Sequence, residues 1–255
     1  MVELGRVEKY LREGMRKHPL HLTLVDPEKT RGDKAGELCR RAEKAGTSAI
    51  MVGGSTVCST TLVDETVKAI KKEVELPVIL FPNNLSGISR YADAIFFMSL
   101  LNSSNPYFLI DAQALGAPLV REYGLEVLPM GYLILGPGGT AGFVGQARFL
   151  PLEKAELAAA YALAAQYLGM HFVYLEAGSG APTPVPPQTI SAVRKCVDLP
   201  LIVGGGIRTG EEARRAAQAG ADLVVTGTVV EEGRVEEKIG EMVEALRKVR
   251  RGKER

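Results

Sequence analysis

The stretch "LPLIVGGGIRTGEEARRAAQAGADLVVTGT", residues 199–228, contains a complete strand–loop–helix–strand unit. Its apolar runs, "LPLIVGGGI" and "ADLVVTGT", are almost continuous rather than alternating. Continuous apolar runs are typical of parallel strands that are buried on both faces. Between them, "GEEARRAAQAG" has a helical pattern. The stretch therefore predicts two parallel strands joined by a crossover helix.

The same unit recurs along the chain. Six further apolar runs precede these two, namely "LHLTLVDP", "SAIMVGGS", "LPVILFPNN", "ADAIFFMSLLNS", "LEVLPMGYLILGPG" and "MHFVYLEAGSG". Helical segments follow every run except the third, where only "LSGISRY" leads to the fourth and is too short for a normal crossover helix. This pattern predicts an α/β fold, a single (β/α)8 TIM barrel over residues 1–255 with its third helix replaced by a loop.

The bulk properties exclude several classes of protein. The 255 residues carry a formal net charge of +1, with no basic stripe interleaved with aromatic residues, so nucleic acid is not expected as a partner. Three cysteines without a C-x-x-C pair favour a reducing compartment, and no signal sequence or transmembrane run is present, so we expect a cytoplasmic protein. The basic end "LRKVRRGKER" is either a solvated helix end or a site of transient attraction to a membrane surface.

The loops after the seventh and eighth strands predict a phosphate site. In barrels these loops often bind phosphate at a helix N-terminus, and here Gly205, Gly206, Gly227 and Thr228 could provide N–H groups and a hydroxyl. The alternative is that the glycines only form tight turns. A dinucleotide fingerprint is not supported, because Thr209 stands where its third glycine is required.

Two polar residues follow the first two strands. Asp26 closes the first and Ser55 closes the second, so a carboxylate and a hydroxyl could converge on one cation. Two protein ligands are enough for Mg²⁺, because this ion retains bound water molecules and takes further ligands from substrate phosphates. The alternative for Asp26 is the N-cap of the next helix. Lys29 could face a second phosphate or remain solvated.

Glu176 stands between an apolar strand end and the loop Gly178–Gly180, which looks suited to an anion. A carboxylate there cannot hold phosphate, but it can accept hydrogen bonds, and a proton, from hydroxyls of a phosphorylated polyol. Tyr174 could position the same substrate. The alternative is that Glu176 only caps N–H groups of its own loop. His21 and His171 begin strands at the opposite end of the barrel and are expected to be structural.

Together, "LTLVDPEK", "VGGST", "YLEAGSGA", "VGGGIRTGEEA" and "VVTGT" resemble the geranylgeranylglyceryl phosphate synthases and their heptaprenyl relatives. The resemblance covers nearly the whole chain in order. The insertions "LLNSSNPYFLIDAQALGAP" and "LGPGGTAGFVGQARFLP" are more similar to the branch called group II.

This resemblance implies a Mg²⁺-dependent prenyltransferase of archaeal-type ether phospholipid synthesis. Such an enzyme joins geranylgeranyl diphosphate to the 3-hydroxyl of sn-glycerol 1-phosphate and releases diphosphate. The implied metal ligands are Asp26 and Ser55, and Asp26 and Glu176 are the implied catalytic residues. The implied glycerol-phosphate residues are Tyr174, Leu175, Glu176, Ala177, Gly178, Ser179, Gly180, Gly205, Gly206, Gly227 and Thr228.

The resemblance also implies a homo-oligomer, a dimer or a hexamer. Two other functions stay open on the residues alone: a barrel enzyme acting on another phosphorylated metabolite, and a barrel that binds such a metabolite without catalysis. For the prenyl tail, "NPYFLI" and the loop replacing the third helix are the candidate walls, although Tyr107 and Phe108 could equally pack in the core. Prenyl length is not determined by the sequence.

Overall fold

A computed structural model describes residues 4–136, 138–227 and 234–249 of the chain. Eight parallel strands form a closed barrel in chain order, which confirms the predicted fold. The strands are β1 Leu20–Val25, β2 Ala49–Val52, β3 Val78–Leu80, β4 Ala94–Leu100, β5 Glu126–Ile134, β6 Phe172–Glu176, β7 Leu201–Gly204 and β8 Leu223–Thr226.

Helices surround this barrel, and the third crossover helix is missing, as predicted. A single 3₁₀ turn, Leu85–Gly87, lies between β3 and β4. A π-helical turn, Tyr107–Asp111, which the sequence did not predict, leads into the helix after β4. The α-helices are α1 Arg6–Lys17, α2 Gly32–Lys44, α3 Thr60–Glu73, α4 Ala112–Tyr123, α5 Gly139–Val144, α6 Ala155–Tyr167, α7 Pro187–Cys196, α8 Gly210–Ala219 and α9 Val235–Arg247.

Aromatic rings fill the barrel interior towards the carboxyl ends of the strands. Phe81 stacks on Tyr174 with ring centroids 5.5 Å apart, and it meets Tyr132 edge-on at 5.4 Å. Tyr132 and Tyr174 lie 5.3 Å apart. This aromatic layer, defined as Phe81, Tyr132 and Tyr174, lies below the carboxyl-end loops, so it separates them from the rest of the core.

Helix α1 covers the opposite end of the barrel. Val7, Leu11 and Met15 are buried and belong to the same apolar cluster as the barrel interior. The residue before the helix, Gly5, has no side chain to cap it. Instead the Glu126 carboxylate accepts the N–H groups of Val7 at 2.7 Å and of Glu8 at 2.8 Å. A carboxylate from the start of β5 thus satisfies N–H groups that a helix leaves open at its first turn.

The two strand-start histidines are structural, as predicted. His171 Nδ1 lies 2.9 Å from Oε2 of the buried Glu8. His21 is buried between the hydroxyls of Thr47 and Thr226, each 2.9 Å from a ring nitrogen. Burial lowers the pKa of His21 to about 4. Neither ring lines a cavity at the carboxyl-end face of the barrel.

Candidate active site

Two chambers open at the carboxyl ends of the strands. The larger is an open cleft with a cavity volume of about 180 Å³, and the smaller has a cavity volume of about 50 Å³. They share four lining residues, Leu24, Glu176, Ser179 and Gly227. The carboxyl-end face of a barrel is where ligands bind in this fold. Two connected chambers of different size suit two substrates that react where the chambers meet.

The larger cleft is mostly apolar and lies where the third helix is missing. Ile88 from the loop after β3 and Phe97 from β4 line it together with Phe108 and Gly116. Omission of the helix therefore opens a path from the barrel mouth to the outside of the sheet. Phe108, from the "NPYFLI" segment, lines this cleft, while Tyr107 packs edge-on against Phe108 at 5.2 Å.

Gly116 lies on the part of α4 that faces Ile88 across this cleft. A Cβ added at Gly116 would meet the Ile88 Cδ1 atom at 3.2 Å, and this is its one close contact. A glycine inside a helix is unfavourable by about 1 kcal/mol relative to alanine. The structural consequence here is that α4 can approach the loop after β3 closely at Ile88.

Asp26 and Ser55 follow β1 and β2 and lie on the part of the larger cleft formed by the ends of these strands. Both residues line it, as does Lys29. A Cβ on Gly54 would lie 2.6 Å from Asp26 Oδ1, so the carboxylate rests against the Cα atom of the residue before Ser55. Asn83 Nδ2 donates to the Ser55 carbonyl at 3.1 Å, which fixes this turn to the end of β3. Asp26 and the turn that carries Ser55 therefore adjoin in the cleft, and the convergence of the two side chains on one cation stays a prediction.

The N-cap alternative for Asp26 does not hold, because Arg31 is the residue that precedes α2. Asp26 Oδ1 instead accepts the Glu28 N–H at 3.0 Å within its own turn. Partial burial raises the pKa of Asp26 above its ordinary value, and the Glu28 N–H opposes this shift. A nearby cation would favour the ionised form.

The donor set at this position fits Mg²⁺. No group of three or more histidine, cysteine or acidic side chains that could hold a metal occurs among the described residues. Asp26 and Ser55 would offer one carboxylate and one hydroxyl, both oxygen donors. Mg²⁺ accepts such sparse protein ligation, since it retains waters and binds substrate phosphates.

The smaller chamber is lined by glycine-rich loops after β6, β7 and β8. Gly205 and Gly206 have φ values of +81° and +74°, which favour glycine. No hydrogen bond from their N–H groups to another described residue is seen. Such unclaimed N–H groups in a concave turn form an anion-binding surface. The lining residues are Leu24, Tyr174, Glu176, Ser179, Gly180, Gly205, Gly206, Ile207, Arg208, Val225, Thr226 and Gly227.

These two glycines are also required by the packing of the protein itself. A Cβ on Gly205 would lie 2.3 Å from Glu176 Oε1, and a Cβ on Gly206 would lie 2.7 Å from the Thr183 carbonyl oxygen. The sequence interpretation, in which the glycines let backbone approach a ligand, is therefore incomplete. Any larger residue would first push the loops after β6 and β7 apart.

Glu176 is 7% exposed and lines both chambers. Its Oε1 atom accepts the Gly178 N–H at 2.6 Å, and the Tyr174 hydroxyl donates to the same carboxylate. Burial raises the pKa of Glu176, while these two hydrogen bonds oppose the rise. The contact with Gly178 is the one expected if Glu176 caps N–H groups of its own loop. Glu176 nevertheless faces the space where the chambers meet, so capping does not remove it from the site.

Other predicted residues have different positions. The side chains of Leu175 and Ala177 pack in the layer between the sheet and the helices, so only their backbone could reach a ligand. Gly178 acts through its N–H group on Glu176. Thr228 lies outside the described residues. Ser179, Gly180 and Gly227 line the smaller chamber.

Several lining residues were not predicted from the sequence. The aromatic residues Phe81 and Tyr132 line the larger cleft, and Arg208 lines the smaller chamber. Strand alternation could have indicated Tyr132, because it pairs with Tyr174 in adjacent strands. Arg208 lies two residues after the last glycine of the turn, a position from which a long side chain can reach a neighbouring loop.

Comparison with known proteins identifies relatives over nearly the full length. Residues 12–246 match the PcrB family. The geranylgeranylglyceryl phosphate synthase of Thermococcus gammatolerans is 57% identical over 246 residues, covering 96% of this chain and 98% of that protein. The enzyme of the same name from Methanothermobacter thermautotrophicus is 56% identical over 242 residues, covering 94% and 98%.

Solved structures give the same result. The (S)-3-O-geranylgeranylglyceryl phosphate synthase of Thermoplasma acidophilum, in complex with its substrate sn-glycerol-1-phosphate, superposes with a TM-score of 0.92 at 43% identity, covering 97% of this chain and 100% of that one. The Thermoplasma volcanium protein superposes with a TM-score of 0.94 at 43% identity, covering 98% and 100%.

Proposed function

The chain belongs to the PcrB family, and we propose that it joins a geranylgeranyl group to the 3-hydroxyl of sn-glycerol 1-phosphate, releasing diphosphate. One observation carries this function: a mostly apolar cleft and a smaller glycine-lined chamber meet at Glu176. The names of the relatives, and the related structure with sn-glycerol-1-phosphate bound, support the same reaction. The product belongs to ether phospholipid synthesis.

The smaller chamber is the acceptor side. N–H groups of Gly205 and Gly206 bind the phosphate, and Glu176 accepts a hydrogen bond from a glycerol hydroxyl. In the reaction the 3-hydroxyl oxygen forms a bond to the first prenyl carbon, the bond from that carbon to the diphosphate oxygen breaks, and the hydroxyl proton leaves. A buried carboxylate with a raised pKa can take up that proton.

The larger cleft is the donor side. Its apolar walls bind the prenyl tail, and Asp26, Ser55 and Lys29 lie where the diphosphate would be. Asp26 and Ser55 would hold a Mg²⁺ ion, whose chemistry is neutralisation of the charge that develops on the leaving diphosphate. Phe81 and Tyr132 keep water from the reacting carbon and present ring electrons to its developing positive charge.

Product analysis by mass spectrometry tests this function. The purified protein would be incubated with prenyl diphosphates of increasing length, with sn-glycerol 1-phosphate or its enantiomer, and with or without Mg²⁺. We expect a geranylgeranyl ether of sn-glycerol 1-phosphate, formed only with Mg²⁺. Turnover of another phosphorylated metabolite alone would favour a different barrel enzyme, and binding without any product would favour a non-catalytic binder.

The oligomeric state, the cellular location and the membrane contact of the protein are also proposals. We infer a cytoplasmic homo-oligomer, a dimer or a hexamer, that contacts membrane surfaces transiently. Tyr167 is 79% exposed and Phe143 is 84% exposed, which gives apolar surface for such contacts. None of the described helices has the length and apolar character needed to cross a membrane. Light scattering and vesicle co-sedimentation test the two contacts separately.

A further inference from the structure

Arg208 connects two loops of the smaller chamber. It lies in the loop between β7 and α8, two residues after Gly206. Its Nη2 atom donates to the carbonyls of Ala181 at 2.8 Å and Gly180 at 3.3 Å, both in the loop after β6. Its Nη1 atom donates to the Gly206 carbonyl of its own loop at 3.3 Å. One guanidinium group therefore holds both loops.

The loops after β6 and β7 also touch each other directly, at two glycines of the loop after β7. Gly205 lies against Gly178, since an added Cβ would be 2.7 Å from the Gly178 nitrogen. Gly206 lies equally close to the Thr183 carbonyl oxygen. Nothing larger than glycine fits between the loops there. Their spacing is consequently determined by glycine contacts on one side and by the Arg208 guanidinium on the other.

The backbone of Arg208 is itself held in place. The N–H groups of Arg208 and Thr209 both donate to Glu212 Oε2, at 2.7 Å and 3.0 Å. Gly210 donates its N–H to Glu241 Oε1 at 2.7 Å. These contacts use N–H groups at the start of α8 within the protein. The N–H groups of Arg208, Thr209 and Gly210 are thus already occupied, and the backbone of Arg208 is fixed at the start of α8.

Carbonyl oxygens beside an anion site would repel phosphate, because they carry partial negative charge. Arg208 binds three of them, which offsets that charge and fixes the direction in which each carbonyl points. In a trans peptide the N–H that follows a carbonyl points the opposite way. Holding the Gly206 carbonyl therefore also fixes the N–H of Ile207, a residue that lines the smaller chamber.

We propose that Arg208 is a positioning residue for the acceptor phosphate, because its guanidinium group bridges the loops after β6 and β7 at the spacing that phosphate binding needs. This inference rests on the proposed function, which assigns the smaller chamber to sn-glycerol 1-phosphate. The bridge depends on the planar fork of arginine. A lysine keeps the charge but is a single point donor, so it cannot hold carbonyls of both loops in the same way.

The test compares Arg208→Ala and Arg208→Lys with the unaltered protein. We expect both variants to raise the dissociation constant and the KM for sn-glycerol 1-phosphate by roughly 10- to 100-fold, as expected for lost charge-assisted hydrogen bonds. The KM for the prenyl diphosphate and the kcat at saturation should change by less than about threefold, since Arg208 does not line the larger cleft. Full recovery by lysine, or an unchanged dissociation constant in the alanine variant, would overturn the proposal.

Arg215→Ala is the matched control, because Arg215 is an exposed arginine on α8 that pairs with Glu211. Its affinity for glycerol phosphate should equal that of the unaltered protein. Guanidinium chloride at millimolar concentration should lower the KM of Arg208→Ala, whereas an equal effect of sodium chloride would contradict the bridge. If the unaltered protein fails to bind sn-glycerol 1-phosphate in calorimetry, the proposed function fails; if it binds and Arg208→Ala binds equally well, only this inference fails.

Discussion

At the scale of single residues, Glu176 both accepts an N–H group of its own loop and lines the two chambers, which sequence reasoning treated as alternatives. Its Oε1 atom is fixed by the Gly178 N–H, and Tyr174 holds the same carboxylate from below. Both contacts orient the group without removing it from the two chambers. The carboxyl group is buried, and this burial raises the pKa of Glu176. A pre-oriented carboxylate with a raised pKa is suited to accepting a proton.

Glu176→Gln should separate catalysis from capping. Glutamine keeps an acceptor for Gly178 but loses the charge, so we expect glycerol-phosphate affinity to fall roughly 10- to 100-fold. If the carboxylate also accepts the proton, kcat should fall by about 10²-fold or more. The measurements are steady-state kinetics and calorimetry, with the exposed Glu156→Gln as control. A variant with lower thermal stability and unchanged kinetics would reduce Glu176 to a capping residue.

The pH dependence of Glu176 has a defined direction. Burial raises its pKa, so the unaltered protein should lose kcat as pH falls through a value above that of an ordinary glutamate. This acid limb should be absent in Glu176→Gln. Because the folded-state pKa exceeds the unfolded one, the contribution of this group to stability is greatest at low pH and is lost as pH rises through the folded pKa. The glutamine variant should therefore be no less stable than the unaltered protein near neutral pH, which thermal unfolding would check.

Asp26 gives a prediction for the donor side. Asp26→Asn removes the one carboxylate that we assign to Mg²⁺, so turnover should fall by about 100-fold or more, and the Mg²⁺ concentration giving half-maximal rate should rise. Affinity for sn-glycerol 1-phosphate should stay nearly constant, because Asp26 does not line the smaller chamber. Asp33→Asn, on the exposed start of α2, is the control. Near-normal turnover of Asp26→Asn at low Mg²⁺ would contradict the assignment.

At the scale of elements, the missing third helix is the feature that makes room for a long apolar substrate. The loop after β3, strand β4 and helix α4 form the walls that the helix would otherwise cover. The π-helical turn before α4 is held to β4, since Ser99 Oγ donates to the Leu109 carbonyl at 2.6 Å. The cleft therefore has fixed walls, and its depth depends on the side chains at the contact between α4 and Ile88.

Gly116→Leu should shorten the cleft. A Cβ at this position already approaches Ile88 Cδ1 at 3.2 Å, so a leucine side chain must occupy space between α4 and the loop. We expect the preference for geranylgeranyl over farnesyl diphosphate, measured as the ratio of kcat/KM values, to fall at least about tenfold. Circular dichroism checks that the variant folds, because leucine has a better helix propensity than glycine but must displace the Ile88 side chain. Ala117→Leu, on the exposed side of α4, should leave the ratio unchanged; an unchanged ratio in Gly116→Leu would show that the tail lies elsewhere.

The sequence could predict those parts of the site that follow from strand order. Asp26 and Ser55 were expected together because β1 and β2 are neighbours, and their register pairs Val25 with Val52 just before them. Period-two alternation could also have excluded the Leu175 side chain, since Tyr174 and Glu176 on either side of it line the site.

Other features were beyond sequence reasoning. The contact between Gly206 and Thr183 joins loops after different strands, and no local pattern encodes it. The same holds for the Arg208 bridge, because a long side chain can reach several loops and only the folded spacing selects one. The π-helical turn also has no recognisable period, so it was not predicted. The structure therefore reveals contacts between loops that the sequence could not predict, whereas the strands were predictable.

At the scale of the whole molecule, stability and chemistry lie at opposite ends of the barrel. The carboxyl-end loops carry the two chambers, while α1 covers the amino end with Leu11 wholly buried against the interior. Barrels commonly show this division. The aromatic layer of Phe81, Tyr132 and Tyr174 lies between the two ends, so a cavity near α1 should not change the shape of either chamber.

Leu11→Ala tests this separation. Removal of a fully buried leucine side chain leaves a cavity, and such changes cost about 2–5 kcal/mol of unfolding free energy. For a protein of about this size the midpoint of thermal unfolding should fall by roughly 2–4 °C for each kcal/mol. The KM values for both substrates at a temperature well below that midpoint should remain within about twofold of normal, because the substitution lies at the far end of the barrel from the ligands. Glu13→Ala, an exposed change on the same helix, should alter stability by less than about 0.5 kcal/mol. Calorimetry and kinetics on the same samples decide the matter: a Leu11→Ala protein with normal stability would show that α1 is not part of the core, and one with a changed KM would show that the two ends of the barrel are coupled.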